Sequence, residues 1–475
     1  MRNDSYYDVV AIGSGFASTF FIYRYLQTAA PNARVLILER GAEGQEKKIQ
    51  TANDGSFSSK NHDKQWLFTL GLGGGSNCWW ACTPRFLPND FNSFSSYGVG
   101  VDWPFGYAEL ESYYSQAETI MSVSGPDYNG LYPRSRPYPQ PPHKFSSIDE
   151  VFKQAYPNSF FQQPTARARA ATSTRPKCCA SGICHRCPIN AKFMINNDLA
   201  EMFKDLRVEV RTGCEAEEII HSGSVATGVR YLTSDLEGHQ VNADLIVLGA
   251  NGIFNPFLLM KSGLEHEMLG KGITDQISQY VYVDLDGLEG YDGSTSVTGH
   301  GYMLYDGEHR KNYAPCLMET SNVLHSLRLE RGKYRQRVNL KFIFEDLSKK
   351  ENFVRIDPLN ERIPEVVYAG YSDYTQRGID NMKAVLPSIL TSLPVESIHH
   401  QGDKNKTEAH IHSTTIMGRD PEKSIVDENQ VHHKIRNLIV VGSSVFPTAP
   451  PPNPTLTLSA LSLRAADKLV ARSVL

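Results

Sequence analysis

The sequence predicts an α/β fold, and two observations near its amino terminus support this prediction. An apolar run of strand length, residues 7–12, is followed at once by a glycine-containing turn and by a segment with helical spacing of apolar residues. A second apolar strand, residues 35–38, comes next and ends at Glu39. Strand, glycine turn, helix and strand in this order are typical of the first unit of a doubly wound, Rossmann-like sheet.

The glycine turn has the composition of a dinucleotide site. Gly13 permits the tight turn, Gly15 lets backbone approach a pyrophosphate, and Ser18 is small enough for close packing of helix on strand. The helix amino terminus offers free N–H groups to phosphate oxygens. Glu39 can accept hydrogen bonds from a ribose diol, so the whole unit predicts a bound dinucleotide.

Charge and composition argue against several other classes of protein. With 48 basic and 52 acidic residues among 475, the formal charge is −4, which gives no reason to expect nucleic acid or an anionic membrane as a partner. No stretch reaches ~18 apolar residues, so no membrane span is predicted. The first strand begins within the first ten residues and leaves no room for a cleavable signal peptide, so we expect a cytoplasmic protein.

Two further segments are suited to close contact with a flat ligand. Residues 71–76 contain four glycines just before Trp79 and Trp80, and only glycine permits such close approach of backbone with positive φ angles. Residues 244–252 form a buried-type strand that ends in small residues, where backbone can approach a pyrophosphate. We therefore expect both segments beside the dinucleotide.

These segments, together with a block near the carboxyl terminus, resemble the glucose-methanol-choline (GMC) flavoprotein oxidoreductases. The resemblance is carried by the glycine turn, residues 71–76, Arg85 with Asp90-Phe91, Trp103-Pro104, and residues 410–418. The last of these is similar to the family element His-x-x-Gly-Thr-x-x-Met-Gly, with Ser413 in place of Gly. The resemblance implies a discontinuous Rossmann-like domain that binds FAD, and an inserted α+β substrate domain built on an antiparallel sheet.

The resemblance also implies a division of the chain into five segments. They are the first part of the FAD-binding domain at 1–145, a Cys-rich connecting segment at 146–195, the second part of the FAD-binding domain at 196–265, the substrate-binding domain at 266–404, and the last part of the FAD-binding domain at 405–475. Strands predicted at 280–283, 337–345, 353–357 and 364–368 are expected to form the antiparallel sheet that covers the substrate site.

The resemblance implies that His410 and Asn453 form a catalytic pair beside the flavin. A neutral imidazole is suited to take the hydroxyl proton of an alcohol while the C–H electrons move to flavin N5. Asn453 can donate and accept at once, so it can orient the hydroxyl. His412, two positions further along the chain, is the rival base.

The resemblance implies a larger set of cofactor contacts from several parts of the chain. These are Gly13, Ser14, Gly15, Phe16, Ala17, Glu39, Arg40, Gly73, Gly74, Ser76, Asn77, Ala250, Asn251, Ser443, Asn453, Pro454 and Thr455. The terminal helix that begins near Asn453 adds amino-terminal N–H groups, which can stabilise negative charge on a reduced flavin.

A cluster of cysteines leaves three interpretations open. Cys178, Cys179, Cys184 and Cys187 include the spacing Cys-x4-Cys-x2-Cys, which plant-type iron–sulfur proteins use with a distant fourth ligand. Zinc bound by thiolates with or without His185 is a second option. The third is a loop that packs near the flavin and holds no metal. We assign no metal to this segment.

These observations predict an FAD-dependent enzyme that oxidises a CH–OH group of a small polar substrate such as a sugar, cyclitol or glycoside. The proposed chemistry is proton abstraction with hydride transfer to flavin. A lyase or isomerase on the same scaffold, and an electron-relay subunit with an iron–sulfur cluster, are the alternatives. Oxygen, a quinone or a protein remains open as the electron acceptor, and the sequence specifies no oligomeric state.

Overall fold

The larger sheet of the molecule has the parallel core that the glycine turn predicts. The computed structural model describes residues 5–45, 49–50, 54–61, 64–127, 130–324, 326–401 and 407–473. Within them, seven strands form this sheet: β1 (Tyr6–Ile12), β2 (Val35–Leu38), β7 (Val208–Arg211), β8 (Glu215–Ser222), β9 (Val225–Leu232), β10 (Gly238–Leu248) and β18 (Leu438–Val440). The order is β7-β2-β1-β10-β9-β8, and β18 pairs in parallel with the end of β10.

The parallel strands are buried because helices cover them. Helix α1 (Phe16–Leu26) follows the glycine turn directly and packs against α8 (Thr455–Ser473), which in turn packs on α3 (Tyr107–Met121). The strands β1 and β2 read as continuous apolar runs, as expected when both faces of a parallel sheet are covered. The first and last helices of the described chain therefore lie side by side.

The second sheet is antiparallel and has two chemically different faces. Its order is β17-β11-β14-β13-β12-β6, with β6 (Phe160–Gln162), β11 (Ile277–Leu285), β12 (Val297–Gly301), β13 (Cys316–Ser321), β14 (Arg337–Phe344) and β17 (Val395–His400). One face packs its apolar side chains with those of α4 (Ser147–Ala155) and α7 (Asp373–Ile389). Because side chains alternate along a strand, the other face presents polar residues.

One expectation about this sheet is wrong. The strands predicted at 353–357 and 364–368 do not join it: β15 (Phe353–Asp357) and β16 (Asn360–Val367) form a small separate sheet with β4 (Ser58–Ser59) and pack on α6 (Asn251–Lys261). The reason is that their apolar side chains complete a different core, with Trp66 and Ile253. A further pair, β3 (Ile49–Gln50) and β5 (Phe68–Thr69), lies nearby.

The remaining helices are short, and the segment predicted to connect domains contributes to the antiparallel sheet. The short helices are α2 (Ser93–Tyr97) and α5 (Ile195–Asp198). Both α4 and β6 come from the range 146–195. The predicted boundary between 404 and 405 lies outside the described residues. No helix in the described part of the chain is long and apolar enough to cross a membrane.

Candidate active site

A cavity of about 940 Å³ extends from the carboxyl ends of the parallel strands to the polar face of the antiparallel sheet. The end lined by Gly13, Glu39 and Arg40 is called the turn end, and the end lined by Tyr280 and Lys341 is called the sheet end. Ligands of doubly wound folds bind at the carboxyl ends of the strands. The volume is of the size that holds an organic cofactor or ligand.

The turn end is held together by one buried carboxylate. Glu39 Oε2 accepts hydrogen bonds from the Ser14 amide at 3.1 Å and the Ser14 hydroxyl at 2.6 Å, and Oε1 accepts from the amides of Gly41 and Gly71 at 2.8 and 2.9 Å. Ser14 Oγ also accepts from the Gly73 amide at 3.1 Å. Glu39 thus fastens the first glycine turn to the second glycine stretch, in addition to lining the cavity.

The two glycines of the first turn have different physical requirements. Gly13 has φ +89°, and a Cβ there would lie 2.6 Å from the Gly249 carbonyl oxygen, so a side chain does not fit. A Cβ on Gly15 would meet no atom within 4 Å, and Gly15 lines the cavity, so its missing side chain leaves open space in front of helix α1. That space is where the helix amino terminus favours a phosphate.

Most of the predicted cofactor contacts line the cavity. They are Gly13, Ser14, Gly15, Phe16, Ala17, Glu39, Arg40, Gly74, Ala250, Asn251, Ser443, Asn453 and Thr455. Gly73, Ser76, Asn77 and Pro454 are not among the lining residues. Ser76 and Asn77 instead donate hydrogen bonds to backbone carbonyls of the glycine stretch, so they stabilise the conformation of this stretch.

Two residues at the turn end have specific local roles. Asn251 has a positive φ of 75°, and its Oδ1 accepts hydrogen bonds from the amides of Ile253 and Phe254 at 2.9 and 3.3 Å, which satisfies the first turn of α6. Arg40 pairs with Glu215 at 3.3 Å, while its Nη1 is buried and has no hydrogen-bond partner among the described residues. An unpaired guanidinium N–H in this wall is suited to a negatively charged or carbonyl-bearing ligand.

The ring of His410 lines the cavity in a fixed orientation. Its Nδ1 lies 2.7 Å from Gln276 Oε1. The Gln276 amide nitrogen donates to the carbonyl oxygens of Pro450 and Pro452, so the Oε1 atom must face the imidazole as an acceptor. His410 Nδ1 therefore carries the hydrogen, and Nε2 keeps its lone pair.

The environment of His410 favours the neutral ring. Burial lowers the pKa of His410, although the nearby carboxylates of Glu408 and Asp275 oppose this effect. Asp275 also accepts a hydrogen bond from the His410 amide at 3.2 Å, which anchors the backbone. A neutral imidazole with a free Nε2 can act as a general base.

His412 occupies a different environment and does not line the cavity. Its ring stacks on Phe446 with centroids 5.4 Å apart, and neither ring nitrogen has a hydrogen-bond partner within the described chain. Burial lowers its pKa to about 3. His412 is thus a core residue in this structure, and His410 is the one of the pair that reaches the cavity.

Asn453 reaches the same cavity from the start of the terminal helix. Its Oδ1 is buried without a hydrogen-bond partner among the described residues, which leaves an acceptor for a ligand. Gln276 donates to the Pro452 carbonyl at 3.0 Å, one residue before Asn453. The same glutamine side chain thus fixes the His410 ring and the backbone that precedes Asn453.

The sheet end contains charged residues that sequence reasoning missed. Tyr280, Lys341 and Glu319 are direct cross-strand neighbours on β11, β14 and β13, and all three line the cavity. Glu408 joins them and forms an ion pair with Lys341. The alternation of polar and apolar residues in 337–344 was the available signal, but the partners of each strand could not be known from it.

The Cys-rich segment forms part of the cavity wall through Gly182 and His185. The four sulfur atoms have different surroundings: Cys184 Sγ lies 2.9 Å from Ser296 Oγ, Cys178 Sγ lies 3.7 Å from Thr295 Oγ1, Cys187 accepts from the Ala191 amide, and Cys179 is exposed. In the described ranges no group of three or more His, Cys, Asp or Glu side chains is arranged to hold a metal ion.

Lys192, which follows this segment, is buried. Its ammonium group donates to the carbonyl oxygens of Asn77, Trp79 and His185 at 2.8, 2.9 and 3.2 Å. Lys192 is therefore an internal structural charge rather than a solvated surface charge. The side chain ties the Cys-rich segment to the tryptophans that follow the second glycine stretch.

Comparison with solved structures confirms the predicted fold class. Pyridoxine 4-oxidase from Mesorbium loti superposes with a TM-score of 0.69 over 98% of this chain and 99% of that one, at 16% identity. Formate oxidase gives 0.67 over 99% of both chains, at 14% identity. A Rossmann-like sheet with an added antiparallel sheet is therefore the architecture of both proteins and of this chain.

The family follows from two sequence models described as GMC oxidoreductase, which match residues 49–278 and 350–462. The chain belongs to the GMC oxidoreductase family, and it is an alcohol-oxidising enzyme. Among curated relatives, the fructose dehydrogenase large subunit of Gluconobacter japonicus is 26% identical over 84% of this chain and 80% of its own. Paromamine 6'-oxidase of Streptomyces fradiae is 26% identical over 98% of this chain and 91% of its own.

Proposed function

We propose that the cavity binds FAD and that the chain uses it to oxidise a CH–OH group of a small polyhydroxylated substrate. Family membership supports the cofactor, and the names of the relatives, which include a fructose dehydrogenase and a paromamine oxidase, support a sugar-like substrate. When bound, FAD supplies the acceptor for the two electrons that leave the substrate carbon. The remaining steps are performed by the chain's own residues.

Two features of the cavity wall suit a dinucleotide. The space in front of Gly15 adjoins the amino terminus of α1, and Arg40 Nη1 is a buried donor without a partner among the described residues. Both features lie at the turn end, where the adenosine and pyrophosphate groups would be held. Glu39 joins the two glycine stretches there. The proposal includes a hydrogen bond from a ribose hydroxyl to the Glu39 carboxylate.

The catalytic part of the proposal depends on the orientation of His410. Gln276 places the hydrogen on Nδ1, so Nε2 can take the proton of a substrate hydroxyl that lies in the cavity. Asn453 Oδ1, the buried acceptor at the start of α8, would orient that hydroxyl. The 2.7 Å contact between His410 Nδ1 and Gln276 Oε1 is the observation that carries this assignment.

The decisive experiment combines the FAD content with turnover of a substrate panel. The purified protein should contain FAD, and sugars, cyclitols and glycosides should be tested with a dye acceptor and by anaerobic bleaching of the flavin. His410→Ala should retain FAD and lose about 10²–10⁴-fold in turnover, as expected when a general base is removed. Protein that takes up no FAD, or a His410→Ala variant with normal rates, would refute the proposal.

A further inference from the structure

The sheet end of the cavity contains polar atoms with hydrogen-bonding capacity that the described residues do not use. Lys341 has three N–H donors, and within the described residues the one hydrogen bond it donates goes to Glu408. Glu319 Oε1 is close to His300 Nε2 at 3.2 Å and to Gln163 Nε2 at 3.3 Å. Glu319 Oε2 lies 4.0 Å from Lys341 Nζ, which is beyond a direct hydrogen bond.

A separation of 4.0 Å suits a hydroxyl group placed between the two atoms. Two hydrogen bonds of about 2.8 Å would then meet at the hydroxyl oxygen at roughly 90°. The hydroxyl would accept from the ammonium group and donate to the carboxylate, and both of these bonds are charge-assisted. An ammonium or a carboxylate on the ligand would instead meet a group of its own sign.

Lys341 and Glu319 stand on different elements from His410, so the hydroxyl group that they contact differs from the one that His410 would deprotonate. Glu408, two residues before His410 in the chain, forms an ion pair with Lys341, and Glu319, Lys341, Glu408 and His410 all line the same cavity. Lys341 and Glu319 stand on β14 and β13 of the antiparallel sheet, whereas His410 follows β17 in the chain and is fixed by Gln276. Tyr280 continues the row on β11, with its ring centroid 5.8 Å from Lys341 Nζ.

We propose that Lys341 Nζ and Glu319 Oε2 together bind one hydroxyl group of the substrate, separate from the hydroxyl that is oxidised. The substrate is then a neutral compound with at least two hydroxyl groups, such as a sugar or a cyclitol. This inference rests on the proposed function, because it assumes that the oxidised alcohol lies in the same cavity. A monohydric alcohol would leave the remaining hydrogen-bonding positions of Lys341 Nζ and Glu319 Oε2 without a hydroxyl group, and a polar site rejects such an analogue strongly.

The test compares polyols with their deoxygenated analogues. The wild type is assayed with a dye acceptor on glucose, fructose, myo-inositol, the monodeoxy analogues of each, glucosamine, glucuronate and 1-propanol. For the best polyol, one monodeoxy analogue should lose about 10- to 100-fold in kcat/KM, as expected for a hydrogen bond to charged groups. In the Lys341→Met variant, kcat/KM for the same analogue should be less than about threefold below that for the parent polyol. The reason is that this variant lacks the ammonium group that the missing hydroxyl would contact.

Three further variants separate recognition from folding. We call the loss in kcat/KM that results from the missing hydroxyl group the deoxy penalty. Glu319→Gln keeps the shape of the side chain and should also reduce the deoxy penalty, so the test does not depend on Lys341→Met alone. Lys341→Arg keeps donors at this position and should retain more of the penalty. Lys333→Met removes a lysine paired with Glu396 that does not line the cavity, and it should leave the kcat/KM values unchanged.

Several outcomes would overturn the inference while the proposed function stands. These are oxidation of 1-propanol as efficient as that of the polyols, a preference for glucosamine or glucuronate over the neutral sugar, or equal deoxy penalties in the wild type and in both Lys341→Met and Glu319→Gln. If instead the protein binds no FAD or oxidises no alcohol at all, the proposed function itself fails.

Discussion

The two ends of the cavity are built in different ways. At the turn end, Gly13, Ser14 and Glu39 come from a single βαβ unit, and their contacts are mostly with backbone amides. At the sheet end, Lys341 and Glu319 are 22 positions apart and meet only because β13 and β14 pair in one register. Local sequence can specify the first kind of site, whereas the second kind depends on strand pairing.

This difference suggests that the two ends can be disabled separately. Variants at the turn end should remove the cofactor whatever the substrate. Variants near the sheet end should leave the cofactor bound and change turnover or its pH dependence.

The largest effect is expected from Gly13→Ala. The new Cβ would lie 2.6 Å from the Gly249 carbonyl oxygen, and φ is +89°, so the turn must move away from the parallel strands. We expect near-complete loss of FAD from the purified protein, measured by absorbance of the released flavin. Gly44→Ala is the matched control, because Gly44 has φ +88° but open space around its Cβ position. Equal FAD content in the two variants would contradict the assignment of the turn end.

An intermediate effect is expected from Gln276→Glu, which places a carboxylate against His410 Nδ1. Burial lowers the pKa of His410, so the wild-type ring stays in its neutral, base form to lower pH. The kcat/KM of the wild type should therefore fall only below a pH of about 6.5, the ordinary pKa of histidine. A carboxylate favours the imidazolium and raises this pKa, so the acid limb of the profile should move to higher pH.

The control for this prediction is Gln279→Glu. Gln279 is also buried and also donates to a backbone carbonyl, that of Gln401, at 2.6 Å, but it does not contact His410. Its substitution should leave the acid limb where it is in the wild type. An acid limb that shifts equally in both variants would show that Gln276 does not set the protonation of His410.

The smallest effect is expected from His412→Leu. Both ring nitrogens are buried without hydrogen-bond partners within the described chain, so an apolar side chain of similar size removes unsatisfied groups. We expect a change of within about 1 kcal/mol in the free energy of unfolding, measured by denaturant titration, and nearly unchanged turnover. A large loss of turnover with retained FAD would instead identify His412 as the base.

Sequence-based prediction was accurate for features that local sequence specifies and inaccurate for strand pairing. Strands β2 and β15 have the predicted bounds, because an apolar run in β2 and a mixture of apolar and charged residues near period two in β15 define a strand locally. The prediction of the sheet that β15 joins was wrong. Its neighbour β16 pairs with β4, which lies about 300 positions earlier, and pairing over such a distance leaves no local pattern.

The sequence by itself determined the family, the Rossmann-like unit and the two histidines that could serve as a base. These depend on residue types at short, fixed spacings. Only the tertiary structure decided that His410 lines the cavity with Nδ1 held by Gln276, that His412 stacks in the core, and that Lys341 and Glu319 face each other across 4.0 Å. The physical reason is that hydrogen bonds and ion pairs between distant segments depend on strand register and packing, which no single segment encodes.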